Sequence, residues 1–246
     1  MHIPTIQGII ARRLLVNYRL EPEIVVPLLP SPFRPHLIHG VAMAGICLIR
    51  LEAIRPQGLP ALLGMASENA AHRIAVEWDD QGQLRSGVFI PRRDTNSRVN
   101  TVVGGRLFPG IHHHAHVTTV TQGTHLRLTF TSDDRQMYVT VAGHADTSLP
   151  MTSVFHSITE ASTFFERGSL GYSATHDPRR FDGLELRSQD WHVEPFTVEH
   201  VESSFFDDRT RFPVGTVTFD CALLMRNIAH EWHERKHLWN RFELAG

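Results

Sequence analysis

The sequence predicts an α+β fold, mostly β, in which an antiparallel sheet curls into a partly closed barrel flanked by a few helices. Three observations lead there. Short runs rich in Val, Ile, Leu and Thr recur along the chain, divided by turn-forming residues such as Gln122-Gly123. One clear amphipathic segment, around Ser153 to Glu166, carries Phe155, Ile158, Ser162 and Phe165 at helical spacing. The 246 residues contain no internal repeat or low-complexity linker, and all-β units often reach this length as one domain. A single domain over residues 1–246 is therefore expected, with a polar tail from about residue 230.

Each element has its own signal. Leu14 to Arg19 reads as a strand, and Leu20-Glu21-Pro22-Glu23 then suits a helix start, with Pro in the first turn. That helix must be short, because Pro27, Pro30, Pro32 and Pro35 follow. Gly40 to Ile54 is apolar enough for a long buried strand, and Arg55 to Gly64 reads as a loop. Arg73 to Asp79 and Leu84 to Pro91 flank the turn Asp79-Asp80-Gln81-Gly82. Ala115 to Thr121, Leu126 to Thr131 and Met137 to Ala142 form a meander joined by short turns. After the helix, which Gly168 stops, Leu184 to Ser204 and Thr216 to Met225 read as β. The His-rich end (HEWHERKHLWNRF) reads as a frayed terminus.

Composition narrows the function. A formal charge of −2 gives no reason to expect a nucleic-acid or membrane-surface partner. The N-terminus lacks a signal-peptide pattern, and the longest apolar stretch, Val41 to Ile49, is far below the ~20 residues of a membrane span. A cytoplasmic location follows as the default, with homo-oligomerisation left open. Cys47 and Cys221 lie in apolar runs and read as buried small hydrophobes. No P-loop, dinucleotide fingerprint or nucleophile elbow occurs, so no cofactor is implied. Lys236 is the only lysine; the other basic residues are arginines, which cannot form imines.

Two stretches carry a family likeness. Val16 to Pro35 (VNYRLEPEIVVPLLPSPFRP) is similar to the opening of acetoacetate decarboxylases. Asp94 to Val117 (DTNSRVNTVVGGRLFPGIHHHAHV) resembles their central segment, a Val-Gly-Arg-Glu-Leu run leading to Tyr-Pro-Lys-Lys. The likeness is closer to domain of unknown function 2071, of the same superfamily, through Gly58-Leu59-Pro60 and Ala222 to Arg226, and spans roughly residues 12 to 232. The resemblance implies that fold and a pocket for a small carboxylate or carbonyl compound. It also places His112 and His113 at the lysine pair and Arg106 at the glutamate of the Gly-Arg-Glu run. Imine chemistry is then excluded unless Lys236 enters the site.

The candidates are weighed on this footing. His112, His114 and His116 share one strand face, which suits a metal site; a solvated polar face competes, and the stretch shows no nearby carboxylate partner. His113 falls with Ile111, Ala115 and Val117 and suits a general acid or base, or else a satisfied core residue. Glu68 suits an internal acid or base, or an ordinary polar strand start. Arg106, His112, Arg98 and Asn96 are the ligand-binding candidates; of Arg92 and Arg93 at most one faces a pocket. The tail histidines His230 and His233 are three apart, so they form no HExxH motif. The leading reading is a small-molecule pocket using acid–base rather than imine chemistry. The alternatives are a non-catalytic binding or structural barrel and a metalloprotein built on the histidine cluster.

Overall fold

The computed structural model describes residues 4–103, 109–188 and 190–240. The strands are β1 (Ile6–Leu20), β2 (Arg34–Pro35), β3 (Leu37–Ile38), β4 (Val41–Pro56), β5 (Met65–Asp80), β6 (Gln83–Thr95) and β7 (His112–Gln122). They continue with β8 (His125–Ser132), β9 (Tyr138–Ala145), β10 (Leu170–Ala174), β11 (Arg180–Ser188), β12 (Glu194–Ser203) and β13 (Val217–Trp239). Among the described residues three α-helices accompany them: α1 (Pro22–Val25), α2 (Arg98–Val103) and α3 (Ile158–Arg167). Among the described residues, no helix is long and apolar enough to cross a membrane.

Two long strands fork the sheet. β6 pairs in parallel with β10 at Val88–Ile90 and with β7 at Arg93–Thr95. β13 pairs with β12 at Ala222–Leu224 and with β11 from His230 to Trp239. The pairings β5–β6–β10–β11–β13–β1–β4 therefore return to β5. A second path from β6 through β7, β8, β9 and β12 returns to β13. The sheet is thus mixed rather than wholly antiparallel, and it rings partly around two cores.

β1 and β4 carry both cores, one on each face. Leu14, Val16, Ile46 and Leu48 enter one core with Phe130, Phe196 and Trp78. Leu15, Cys47 and Ile49 enter the other, with Phe155, Ala161 and Phe165 from α3 and its approach. Burial on both faces is why Gly40 to Ile54 reads as a continuous apolar run rather than an alternation. At α3, the Ser157 hydroxyl accepts from the Glu160 N–H at 3.1 Å, and the Glu160 carboxylate accepts from the His156 N–H at 2.7 Å.

Three expectations change. β5 begins at Met65, well before Arg73, because its first half pairs with both β4 and β6. Leu184 to Ser204 is broken into β11 and β12, with β10 added before them. As far as Trp239 the polar tail is strand rather than a frayed terminus: β13 continues to that residue. Many of its side chains are polar, but its backbone pairs with β1 as far as Trp232 and with β11 from His230 to Trp239, and His230 is buried.

Candidate functional site

A cavity of about 120 Å³ opens on the α3 side of the shared strands. Strand register decides what lines it. Leu15, Cys47, Ala71 and Arg93 form one row across β1, β4, β5 and β6. Arg13, Ile49 and Asn69 form the row on one side, and Asn17, Gly45 and Arg73 the row on the other. Gly45, Cys47 and Ala71 are small, so the floor is low and the arginines can lie over it. Gly45 has no latitude: a Cβ there would fall 2.3 Å from the Val16 carbonyl oxygen.

Each arginine is held by neutral partners. Arg13 donates from Nε to Cys47 Sγ at 3.3 Å and from Nη1 to Met225 Sδ at 3.9 Å, with its Cζ 5.5 Å from the Trp191 ring centroid. Arg73 reaches past Gly45 and donates from Nη2 to Asn17 Oδ1 at 2.5 Å, its Cζ 5.0 Å from the Phe165 ring. The Nε of Arg73 has no partner among the described residues. Arg93 turns the other way and donates from Nε to Ser173 Oγ on β10 at 2.9 Å. Burial pushes Arg73 and Arg93 down to about 10, which still leaves both cationic at neutral pH. Asp94 also lines the cavity, but its carboxylate is taken up by Arg92 at 2.8–3.1 Å. Among the described residues, no carboxylate faces Arg13, Arg73 or Arg93.

His112 completes the polar lining, with Ser67, Asn69 and Asn100 nearby. Burial, then the charge of Arg93, pushes its imidazole down to about 3, so it is neutral. Its Nδ1 lies 3.3 Å from the Gly110 carbonyl, which can only accept. The proton therefore sits on Nδ1, and Nε2 is left as an acceptor. Gly110 permits the turn: its φ is +87°, and a Cβ there would fall 2.6 Å from Ser173 Cβ.

The structure redistributes the sequence candidates. His112 lines the cavity; His113 does not, which corrects its expected place there. His113 pairs in register with Asp94, on the opposite face, and its Nδ1 lies 3.2 Å from Asp134 in a partly exposed cluster that Arg92 also joins. Glu68 is likewise on the far side of β5: it is buried, 2.6 Å from Arg12 and 3.5 Å from Arg50. Asn96 is spent on the backbone, accepting from the Glu68 N–H at 2.9 Å while its own N–H donates to the Glu68 carbonyl at 3.0 Å. Arg98 is exposed at the start of α2 and does not line the cavity. Arg106 lies outside the described residues. Lys236 is exposed on β13, away from the cavity lining.

The metal candidates also divide. His114 and His116 meet Asp133, at 2.9 and 3.2 Å, while His112 turns to the cavity instead. The carboxylate missing from the histidine stretch itself is supplied by Asp133 in the turn between β8 and β9. Similar exposed groupings join His125 and His144 to Glu199, and His39 and His156 to Glu160. Sequence reasoning passed over Arg13 and Arg73, whose neighbours in the chain carry no motif. It did foresee that one of Arg92 and Arg93 at most would face a pocket, and that residue is Arg93.

Comparison with known proteins agrees with this architecture. None of the curated proteins searched matches the sequence. Acetoacetate decarboxylase from Legionella pneumophila superposes with a TM-score of 0.61 at 10% identity, covering 98% of this chain and 89% of that one. An acetoacetate decarboxylase-like enzyme from Sphingomonas wittichii gives 0.57 at 12% identity, covering 97% and 93%. The enduracididine biosynthesis enzyme MppR, complexed with pyruvate, gives 0.56 at 14% identity, covering 97% and 91%. At these identities the likeness is one of fold. The model of domain of unknown function 2071, described as an uncharacterized conserved protein, matches residues 10–213, and the chain belongs to that family.

Proposed function

We propose that the protein binds a small carboxylate in the cavity, through Arg13, Arg73 and Arg93, without forming an imine. One observation carries this reading: three arginines line the cavity, and no described carboxylate neutralises them. A buried cation without a counter-charge costs several kcal/mol, and a bound anion removes that cost. The soft partners of Arg13, two sulfurs and an indole, hold it in place without competing for its charge. Neutral His112 supplies an acceptor for a hydroxyl or N–H of the ligand, and any proton taken from a bound ligand would go to its Nε2. The fold shared with MppR, whose solved structure is complexed with pyruvate, supports a keto acid among the ligands to be tried. The single lysine, exposed on β13, supports non-covalent binding.

The test is a thermal-shift and calorimetric panel of small carboxylates, keto acids and matched neutral ketones at constant ionic strength. Carboxylates are expected to stabilise the protein and neutral ketones not to, and Arg73→Gln is expected to abolish the effect. Borohydride added with a keto acid is expected to leave the protein mass unchanged. Stabilisation by ketones alone, or a reduced covalent adduct, would overturn the reading.

A further inference from the structure

The arginines do not converge on one point. Arg13 and Arg73 both place their head groups over β1 and β4, against Cys47 and Asn17 respectively. Arg93 stands on β6, and its guanidinium turns toward Ser173 on β10, beside His112. Cys47 and Arg93 share a row with Ala71 between them. Two strand steps of ~4.8 Å separate their backbones by about 10 Å. The floor between the two cationic ends is Cys47 and Ala71, side chains that offer an anion nothing.

Residues 104–108 read Gly-Gly-Arg-Leu-Phe and contain no acid that could act as a counter-ion. A monocarboxylate seated on Arg13 and Arg73 would leave Arg93 uncompensated in a low-dielectric wall. One seated on Arg93 would leave the other pair so.

We infer that the ligand carries two acidic groups joined by a short chain, one held by Arg13 and Arg73 and the other by Arg93. This rests on the carboxylate-binding reading and sharpens it to a substrate class. The size agrees: the cavity of about 120 Å³ is somewhat smaller than the ~150 Å³ cavity that admits benzene. Scaled from the six atoms of benzene, that is room for roughly five non-hydrogen atoms, so only the shortest dicarboxylates, of two to four carbons, come near the fit.

The experiment is isothermal titration of the wild-type protein with acetate, propionate and butyrate, against oxalate, malonate, succinate and glutarate, with sulfate as a compact dianion. Ionic strength is held constant. A dicarboxylate of two to four carbons is expected to bind at least tenfold more tightly than the monocarboxylate of equal length, and more tightly than sulfate. Arg93→Gln is expected to reduce that dicarboxylate to the affinity of its monocarboxylate partner measured in the same variant. Arg93→Lys, which keeps the charge and loses the fork, is expected to fall between and serves if the glutamine variant does not fold. Equal binding of mono- and dicarboxylates, or sulfate binding as tightly as succinate, would overturn the two-ended site and leave the carboxylate reading standing. A dicarboxylate advantage that survives in both Arg93 variants would overturn the assignment of Arg93. No binding by any acid would overturn both.

Discussion

Replacing Glu68 with Gln tests whether this carboxylate is structural. Its side chain is 6% exposed and sits 2.6 Å from Arg12, itself only 12% exposed, with the more open Arg50 at 3.5 Å. The substitution keeps the volume and removes the charge, so Arg12 stays buried without a counter-ion. Breaking a buried pair in this way costs about 3–5 kcal/mol. The lower figure applies here, because Arg12 retains some solvent and Gln still accepts one hydrogen bond. With a urea m-value of about 3 kcal/mol/M for a chain of this size, 3 kcal/mol moves the midpoint down by about 1 M. The measurement is urea unfolding followed by tryptophan fluorescence and by circular dichroism. Arg12→Gln in the same background should cost less than the sum of the single changes, since the second removes the orphaned charge. Carboxylate affinity is expected to hold, because Glu68 faces away from the cavity. A midpoint within 0.2 M of wild type, together with lost carboxylate binding, would refute the reasoning and return Glu68 to the site.

Three further outcomes are expected. Burial holds His72, His112 and His230 at about 3, 3 and 4, against an ordinary 6.5 in the unfolded chain. The unfolded state therefore binds protons first: stability is complete above pH 6.5 and falls as pH drops toward 4, by about 1.4 kcal/mol per pH unit per histidine. His72 sits 4.7 Å from the Phe205 ring with neither ring nitrogen partnered among the described residues, so His72→Leu should remove one proton from the slope of stability against pH; an unchanged slope would contradict this. Chelation by EDTA is expected to shift the melting temperature of untagged protein by less than about 1 °C, because the exposed histidines and carboxylates already contact one another directly and such surface contacts are of low worth; a large drop would argue for a resident metal. Gly45→Ala should destabilise by about 2 kcal/mol or more and weaken carboxylate binding, since its methyl meets the Val16 carbonyl and displaces the strand beneath Arg73; wild-type stability and affinity would show that the strand yields freely.

The regular strands and α3 were legible because each has a local cause. β8 alternates cleanly, and the amphipathic helix carries its own cap and stop. Two-residue parity correctly separated His112 from His113 and Arg92 from Arg93. Parity could not say which face held the cavity, because both faces of these strands are buried. Ala115 is fully buried, as its apolar company suggested, but in the core opposite the cavity. His113 therefore followed the wrong apolar face. Arg13 and Arg73 were illegible for another reason: they lie 60 residues apart in sequence, and only the β1–β4–β5 register brings them over one floor. Chemistry assembled by strand pairing leaves no contiguous motif.

The forked strand β13 also bears on how the chain is made. It closes both circuits of the sheet, pairing with β1 at Ile6↔Trp232 and Leu20↔Val217. During synthesis β1 therefore waits, one edge unpaired, until β13 has left the ribosome. Pairings so distant in sequence close slowly, because the loop-closure entropy is lost before any contact repays it. The nascent protein exposes apolar edge strands from both cores in that interval, which makes chaperone dependence and C-terminal truncation its points of vulnerability.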